Sequence, residues 1–199
     1  MKHFLAIITT IIVLTTMFSG CNYTQDNIVD VVTNEKIIQS KSFNISSDST
    51  ELETSARGAI FLSGTDGVPE HAQIVALIKI DPGDWGGVSF CISDNWHITS
   101  ITSNYPEDET EKIPENFVNI LRTASTTVEW NKEIRIGYDP SYSTSTEGGK
   151  GTIIIELEAN KESISPSDTF SMLIGVGSEE NDGIRICNPD FERIEIPIP

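Results

Sequence analysis

From Ala59 onward the chain alternates apolar and other residues with a period of two. Ile74, Ala76, Ile78 and Ile80 interleave with Val75, Leu77 and Lys79, and Val88, Phe90 and Ile92 fall on one face. Ile98, Ser100 and Thr102 alternate with Thr99 and Ile101, and Val128 and Trp130 precede Ile134, Ile136 and Tyr138. Ile153, Ile155 and Leu157 interleave with Ile154, Glu156 and Glu158; Phe170, Met172, Ile174 and Val176, then Ile194, Ile196 and Ile198, repeat the pattern. Successive strand side chains point to opposite faces, so this period buries one face of each strand. Turn residues punctuate the runs at Asp81-Pro82-Gly83, Ser93-Asp94-Asn95, Asp139-Pro140, Gly148-Gly149, Ser165-Pro166-Ser167 and Asn181-Asp182-Gly183. Short alternating strands with regular turns predict a mostly-β chain folded as an immunoglobulin-like antiparallel β-sandwich. Pro114 to Arg122 differs: Pro stands at a plausible first helical position and apolar residues recur three and four apart. That spacing predicts one short helix covering an edge or end of the sandwich.

The N-terminus follows another pattern. Lys2 and His3 precede an apolar run from Phe4 to Phe18, which ends at Ser19-Gly20 directly before Cys21. The run falls short of the roughly 20 residues that a membrane-spanning helix needs. A short apolar run closed by small residues is the pattern of a cleavable export signal. With the cysteine that follows, it resembles the lipobox of bacterial lipoproteins, except that Phe18 stands where Leu is usual. The resemblance implies a signal peptide at 1–20, a diacylglycerol on the Cys21 thiol, and an extracytoplasmic protein held to the cell membrane by acyl chains such as palmitate. Two acyl chains hold a protein firmly where one does not. A plain secretory signal with an incidental cysteine is the competing reading.

Residues 22–41 mix Thr, Asn, Asp and Gln around a brief apolar patch, and 42–55 are rich in Ser, Thr, Asp and Glu. The expected organisation is a lipidated flexible tether over 21–42 and a sandwich over 43–199. The 199 residues carry a formal charge of −17, and the leader holds Lys2 but no acid. The mature chain therefore keeps 12 bases against 30 acids, a balance of −18. Such a surface repels nucleic acid and anionic lipid, and suits cations or basic partners.

With Cys21 lipidated, Cys91 and Cys187 remain, both in strand-like runs. In an exported chain a pair suggests a disulfide; the alternative is two buried free cysteines acting as small apolar residues. Lys79 to Phe90, with Trp96-His97-Ile98-Thr99-Ser100-Ile101 after it and Gly151 to Leu157 later, resembles parts of a cohesin. The likeness implies a cohesin-like extracellular sandwich of the sort that also serves carbohydrate-binding and adhesion modules. The turn here is Ser93-Asp94-Asn95 where cohesins have Tyr-Asp-Pro, and no partner-contact residue carries over.

Motifs for common chemistries do not occur. There is no Gly-x-Ser-x-Gly elbow, and no serine stands three residues before a lysine, so Ser93-Asp94-Asn95 reads as a turn. His71 and His97 have no His, Cys or acidic neighbour in metal spacing, so no metal site is expected. Calcium has only loose acidic clusters to bind, Glu107-Asp108-Glu109 with Glu111 and Glu179-Glu180 with Asn181-Asp182, neither in loop-motif spacing. Trp85, in a Gly-rich turn, is the leading ligand-binding residue, since an indole face stacks on a sugar ring; Tyr105 and Tyr142 join it as loop candidates. Trp96 and Trp130 read as core. The expected function is a non-catalytic binding or interaction module for a glycan or protein ligand, with no cofactor. The alternative is a small extracytoplasmic hydrolase using a carboxylate pair.

Overall fold

A computed structural model describes residues 36–49, 51–107, 117–122, 129–137, 148–160, 169–178, 180–181, 184–185 and 189–198. The strands are β1 (Lys36–Ser46), β2 (Ser55–Thr65), β3 (Val68–Ile80), β4 (Val88–Ile92), β5 (Trp96–Ser103) and β6 (Val118–Arg122). They continue as β7 (Lys132–Ile136), β8 (Gly149–Ala159), β9 (Thr169–Val176), β10 (Glu180–Asn181), β11 (Ile184–Arg185) and β12 (Asp190–Pro197). Sheet A has the order β1-β2-β3-β8-β5 and sheet B the order β12-β9-β4-β7-β6, while β10 and β11 pair as a small separate hairpin. Every strand pairing among the described residues is antiparallel, and the chain forms the β-sandwich that its period of two predicts.

One apolar core lies between the sheets. Sheet A contributes Ile60, Leu62, Ile74, Ile78, Ile153 and Ile155; sheet B contributes Phe90, Ile92, Ile134, Phe170, Met172 and Ile194. Each full burial of such a side chain contributes about 1.5–3 kcal/mol. Trp96 packs edge-on against Phe170, with ring centroids 5.2 Å apart, so its core assignment holds. Trp130 is only half-buried, with the Arg193 guanidinium 5.2 Å from its ring centroid.

Local chemistry sets the details. The β2–β3 hairpin turns through Asp66-Gly67, both at positive φ (53° and 80°), the backbone of a two-residue hairpin whose twist suits its strands. A bulge between Ile98 and Ser100 breaks the simple alternation in β5, so Ile98 and Ile101, three apart, both pack on the core.

Two expectations are corrected. The short helix over Pro114–Arg122 does not form where it can be described: Val118–Arg122 is strand β6, paired with β7, and 114–116 lie outside the described residues. β-branched Val118 and Ile120 favour a pleated edge, and pairing to β7 satisfies backbone groups that a lone helical turn would leave open. The expected tether over 21–42 is also corrected for its described part: 21–35 lie outside the described residues, while residues 36–42 belong to β1, which begins at Lys36 and pairs with β2. Polar Gln39, Ser40 and Ser42 made this segment read as a spacer, yet it is an edge strand.

Two buried charged side chains hold the passages between the sheets. From β3 to β4 the chain crosses through 81–87, where Asp84 Oδ1 accepts from the backbone N–H groups of Gly86 (2.8 Å), Gly87 (3.0 Å) and Ser178 (3.0 Å). Its Oδ2 accepts from Thr54 Oγ1 at 2.5 Å. From β4 back to β5 the turn at Ser93–Asn95 is held by Lys132 Nζ, which donates to Asp94 Oδ1 (3.0 Å), Trp96 O (3.0 Å) and Ser93 O (3.4 Å). Desolvation pushes the Asp84 carboxyl above its ordinary value, outweighing the bonds from Thr54, Ser178, Gly87 and Gly86 that favour the charged form.

Truncating Asp84 to Ala should lower stability by about 3 kcal/mol or more, because buried N–H groups lose their acceptor. A raised folded pKa has a definite sign: the Asp84 term is fully present below its unfolded value and is lost as pH rises through the folded value. Urea unfolding across a pH series should show this loss in the wild type and its absence in Asp84→Asn; identical pH slopes would refute the assignment.

Candidate functional site

Cross-strand partners arrange the outer face of sheet A in rows. At one end Ser55, Lys79 and Lys150 stand side by side on β2, β3 and β8. The next row runs Asn44–Arg57–Leu77–Thr152, and the one after Ser42–Ala59–Val75–Ile154–Thr102. Then come Ser40–Phe61–Gln73–Glu156–Ser100, with Gln73 Nε2 donating to Glu156 Oε1 at 2.7 Å, and last Ser63–His71–Glu158–His97. The face therefore passes from a cationic end, over an apolar middle, to an end holding two histidines and an acid.

Two hollows adjoin on this face. The first, about 480 Å³, lies over the cationic rows and is lined by Asn44, Ser55, Arg57, Leu77, Lys79 and Lys150, with Ile78, Glu107 and Gly151. The second, about 750 Å³, is lined by Ala59, Phe61 and Val75 among others, and shares Asn44, Arg57 and Leu77 with the first. Leu77 is 48% exposed at their junction. Lys79 pairs with Glu53, whereas Arg57 and Lys150 make no ion pair among the described residues.

Sheet B presents a different outer face. There Arg135 pairs with Glu133 (2.7 Å), and Arg193 pairs with Glu129 (2.6 Å) and Glu195 (2.6 Å). Its small hollow of about 70 Å³ lies beside Phe191, whose ring covers the position where Gly175 lacks a side chain. Among the described residues Arg135 and Arg193 are thus paired within sheet B, whereas Arg57 and Lys150 stand without ion pairs on sheet A.

The residues expected to form a site do not come together. Cys21, Tyr142 and Cys187 lie outside the described residues. Tyr105 is not a binding residue. It is fully buried, its hydroxyl donates to Gly148 O at 2.9 Å, and its ring packs edge-on against Phe117 at 6.0 Å. A side chain at Gly151 would overlap Tyr105, so glycine there makes room for the aromatic residue. Trp85 is half-buried in the loop that Asp84 holds, its backbone N–H donates to Ser178 O at 3.2 Å, and it lines neither hollow of sheet A. Of the acidic clusters, Glu107 is described and lines the first hollow, while Asp108, Glu109, Glu111, Glu179 and Asp182 lie outside. The register sets His71 and His97 on either side of Glu158, which linear spacing does not reveal, yet among the described residues no group of three ligands is placed to hold a metal.

Of the two readings left open for Cys91 and Cys187, a bridge or free cysteines, the structure has Cys91 as a free thiol, half-buried on the outer side of β4. Burial pushes it up to about 11, and Glu133, its cross-strand neighbour, adds to the rise against Arg135 and a bond from Ser89.

Arg57, Leu77, Lys79 and Lys150 were not singled out by sequence motif. Their signal is parity: each is an outward position on a strand whose alternate residues are buried. Only pairing shows that they are neighbours. No protein-family profile matches the chain, and no curated protein matches it. A solved structure from work on pH-induced modulation of Streptococcus parasanguinis adhesion by Fap1 fimbriae aligns with 81% of this chain and 99% of its own, at 11% identity and a TM-score of 0.33. That likeness is too loose to carry function across.

A thiol held at about 11 is almost wholly protonated at neutral pH. Peptide mapping after maleimide treatment at pH 7.5 should show Cys91 labelled about a hundredfold more slowly in the folded chain than in urea. Reduction should leave the unfolding midpoint unchanged; a drop on reduction would restore the bridge.

Proposed function

We propose that this protein is a lipid-anchored, extracytoplasmic binding module that is not catalytic, and that its ligand docks on the outer face of sheet A. The lipobox-like run ending at Cys21 supports the anchor. A single observation supports the docking face: two adjoining hollows share Asn44, Arg57 and Leu77 on the face where, among the described residues, Arg57 and Lys150 make no ion pair. Leu77, 48% exposed, joins the cations to an apolar wall of Ala59, Phe61 and Val75, which gives the face a contiguous apolar patch rather than a single exposed residue. The cohesin-like reading of Lys79 to Phe90 agrees with a module that acts by binding rather than by turnover.

The anchor has a direct test. Cys21→Ala should abolish incorporation of a clickable fatty acid during growth; equal labelling of variant and wild type would refute lipidation at this residue. The docking face has another. Leu77→Asp, at an exposed position, should change stability by about 0.5 kcal/mol or less. It should also weaken binding to polygalacturonate, dextran or whichever immobilised polysaccharide the wild type retains by about tenfold or more, the loss of one anchoring contact. Unchanged retention would move the ligand away from sheet A.

A further inference from the structure

Resting on that docking face, we propose that the hollow over Arg57, Lys79 and Lys150 binds the carboxylates of an acidic, uronate-bearing polysaccharide. The first ground is charge. Acids outnumber bases 30 to 13 in the chain, yet among the described residues the lining of this hollow holds three cations and one acid, Glu107. The second is register. Lys79 and Lys150 are direct cross-strand partners, and like charges directly opposite one another destabilise a sheet. Glu53 relieves only Lys79. Arg57 stands one row further on, on the neighbouring strand, so two cations without ion pairs flank the same opening. An arrangement that costs stability at the surface marks a functional position.

The chemistry of the walls selects the ligand. A guanidinium fork takes a carboxylate through two parallel bonds, and the Lys150 ammonium adds a point charge that can meet the next acidic group along a polymer. Leu77 borders the cations and leads to Ala59, Val75 and Phe61, an apolar floor for the C–H face of a sugar ring. Asn44 and Ser55 supply polar groups at hydroxyl height. Duplex nucleic acid, with one charge per about 1.7 Å of axis, meets the stronger repulsion from a chain of net charge −17. A polysaccharide with one carboxylate per sugar has a lower charge density and brings the apolar ring faces that the second hollow accommodates.

The full-length chain in polyoxyethylene-detergent micelles, presented to immobilised polygalacturonate, tests the proposal. Binding should weaken with added salt. Arg57→Gln/Lys150→Gln should lower affinity by about tenfold or more, and the charge-matched pair Lys36→Gln/Arg122→Gln, on other strands, by less than about twofold. Neutral dextran should not bind measurably, and polyglutamate, anionic without sugar rings, should bind about tenfold more weakly. Unfolding midpoints report that each variant is folded, and Lys150→Gln alone, at an exposed position, keeps the test available if the double variant unfolds. Dextran bound as tightly as polygalacturonate, with Leu77→Asp still disruptive, would overturn the acidic ligand and leave the docking face standing. Polyglutamate bound as tightly would make the partner an acidic protein and overturn the proposal. Equal losses in the charge-matched pair would reduce the effect to diffuse attraction. No binding to polygalacturonate, or binding indifferent to Arg57, Lys150 and Leu77 alike, would overturn the ligand and remove the support for the face.

Discussion

Strand β4 lies at the centre of sheet B, yet both its chain neighbours, β3 and β5, belong to sheet A. The chain therefore passes between the sheets twice within about twenty residues, and each passage takes backbone polar groups through the margin of an apolar core. Unpaired, those groups would cost free energy comparable to lost hydrogen bonds. One buried charged side chain answers each passage: Asp84 collects three backbone donors and a hydroxyl, and Lys132 donates to two carbonyls and a carboxylate. A buried charge is tolerated only when it is this fully bonded. Asp84 also reaches three separate parts of the chain: Thr54 before β2, the glycines before β4, and Ser178 after β9. Its carboxylate thereby ties the start of β2 in sheet A to the ends of β4 and β9 in sheet B.

That constraint explains the Trp85 segment. Pro82, Gly83, Gly86 and Gly87 together with an indole read as a binding loop, because glycine permits close approach by a ligand. The close approach is to the protein itself. Gly87 has φ of +63°, and a side chain at Gly86 would overlap the Ser178 hydroxyl. Local composition marks such a turn but cannot distinguish an internal partner from an external one. Tyr105 is the same case: a polar loop residue by its neighbours in sequence, a core residue because Gly151 and Gly148, over forty positions away, receive its ring and hydroxyl.

Where burial follows parity alone, the strands were legible. The alternation at Ile74–Ile80, Ile153–Leu157 and Phe170–Val176 is the burial pattern of β3, β8 and β9. It failed where pairing overrides local preference. Val118–Arg122 has apolar spacing compatible with a helix and becomes an edge strand because β7 offers a ladder. Residues 36–42 are polar enough for a tether and become strand because β2 does. The docking face was illegible for a related reason: Arg57, Lys79 and Lys150 are distant in sequence, and only antiparallel register makes them neighbours.

The division of labour between faces follows from the same register. Inward positions are committed to one core, so a substitution there is felt as lost packing. On sheet B the outward positions are committed as well: Arg193 bridges Glu129 and Glu195 beside Trp130, and Arg135 is closed by Glu133. Individually such exposed pairs contribute little to stability, but they engage Arg135 and Arg193, the cations of the outward rows described there. Sheet A keeps its charges apart. On β2, β3 and β8 the cations Arg57, Lys79 and Lys150 stand at one end of the rows, the acids Glu156 and Glu158 toward the other, and aliphatic residues separate them, so cross-strand pairing does not cancel them. A sheet selected only for stability would interleave the signs, since opposite charges across strands stabilise and like charges do not. Separation leaves a field at the surface of sheet A, and a field at a surface acts on whatever approaches it.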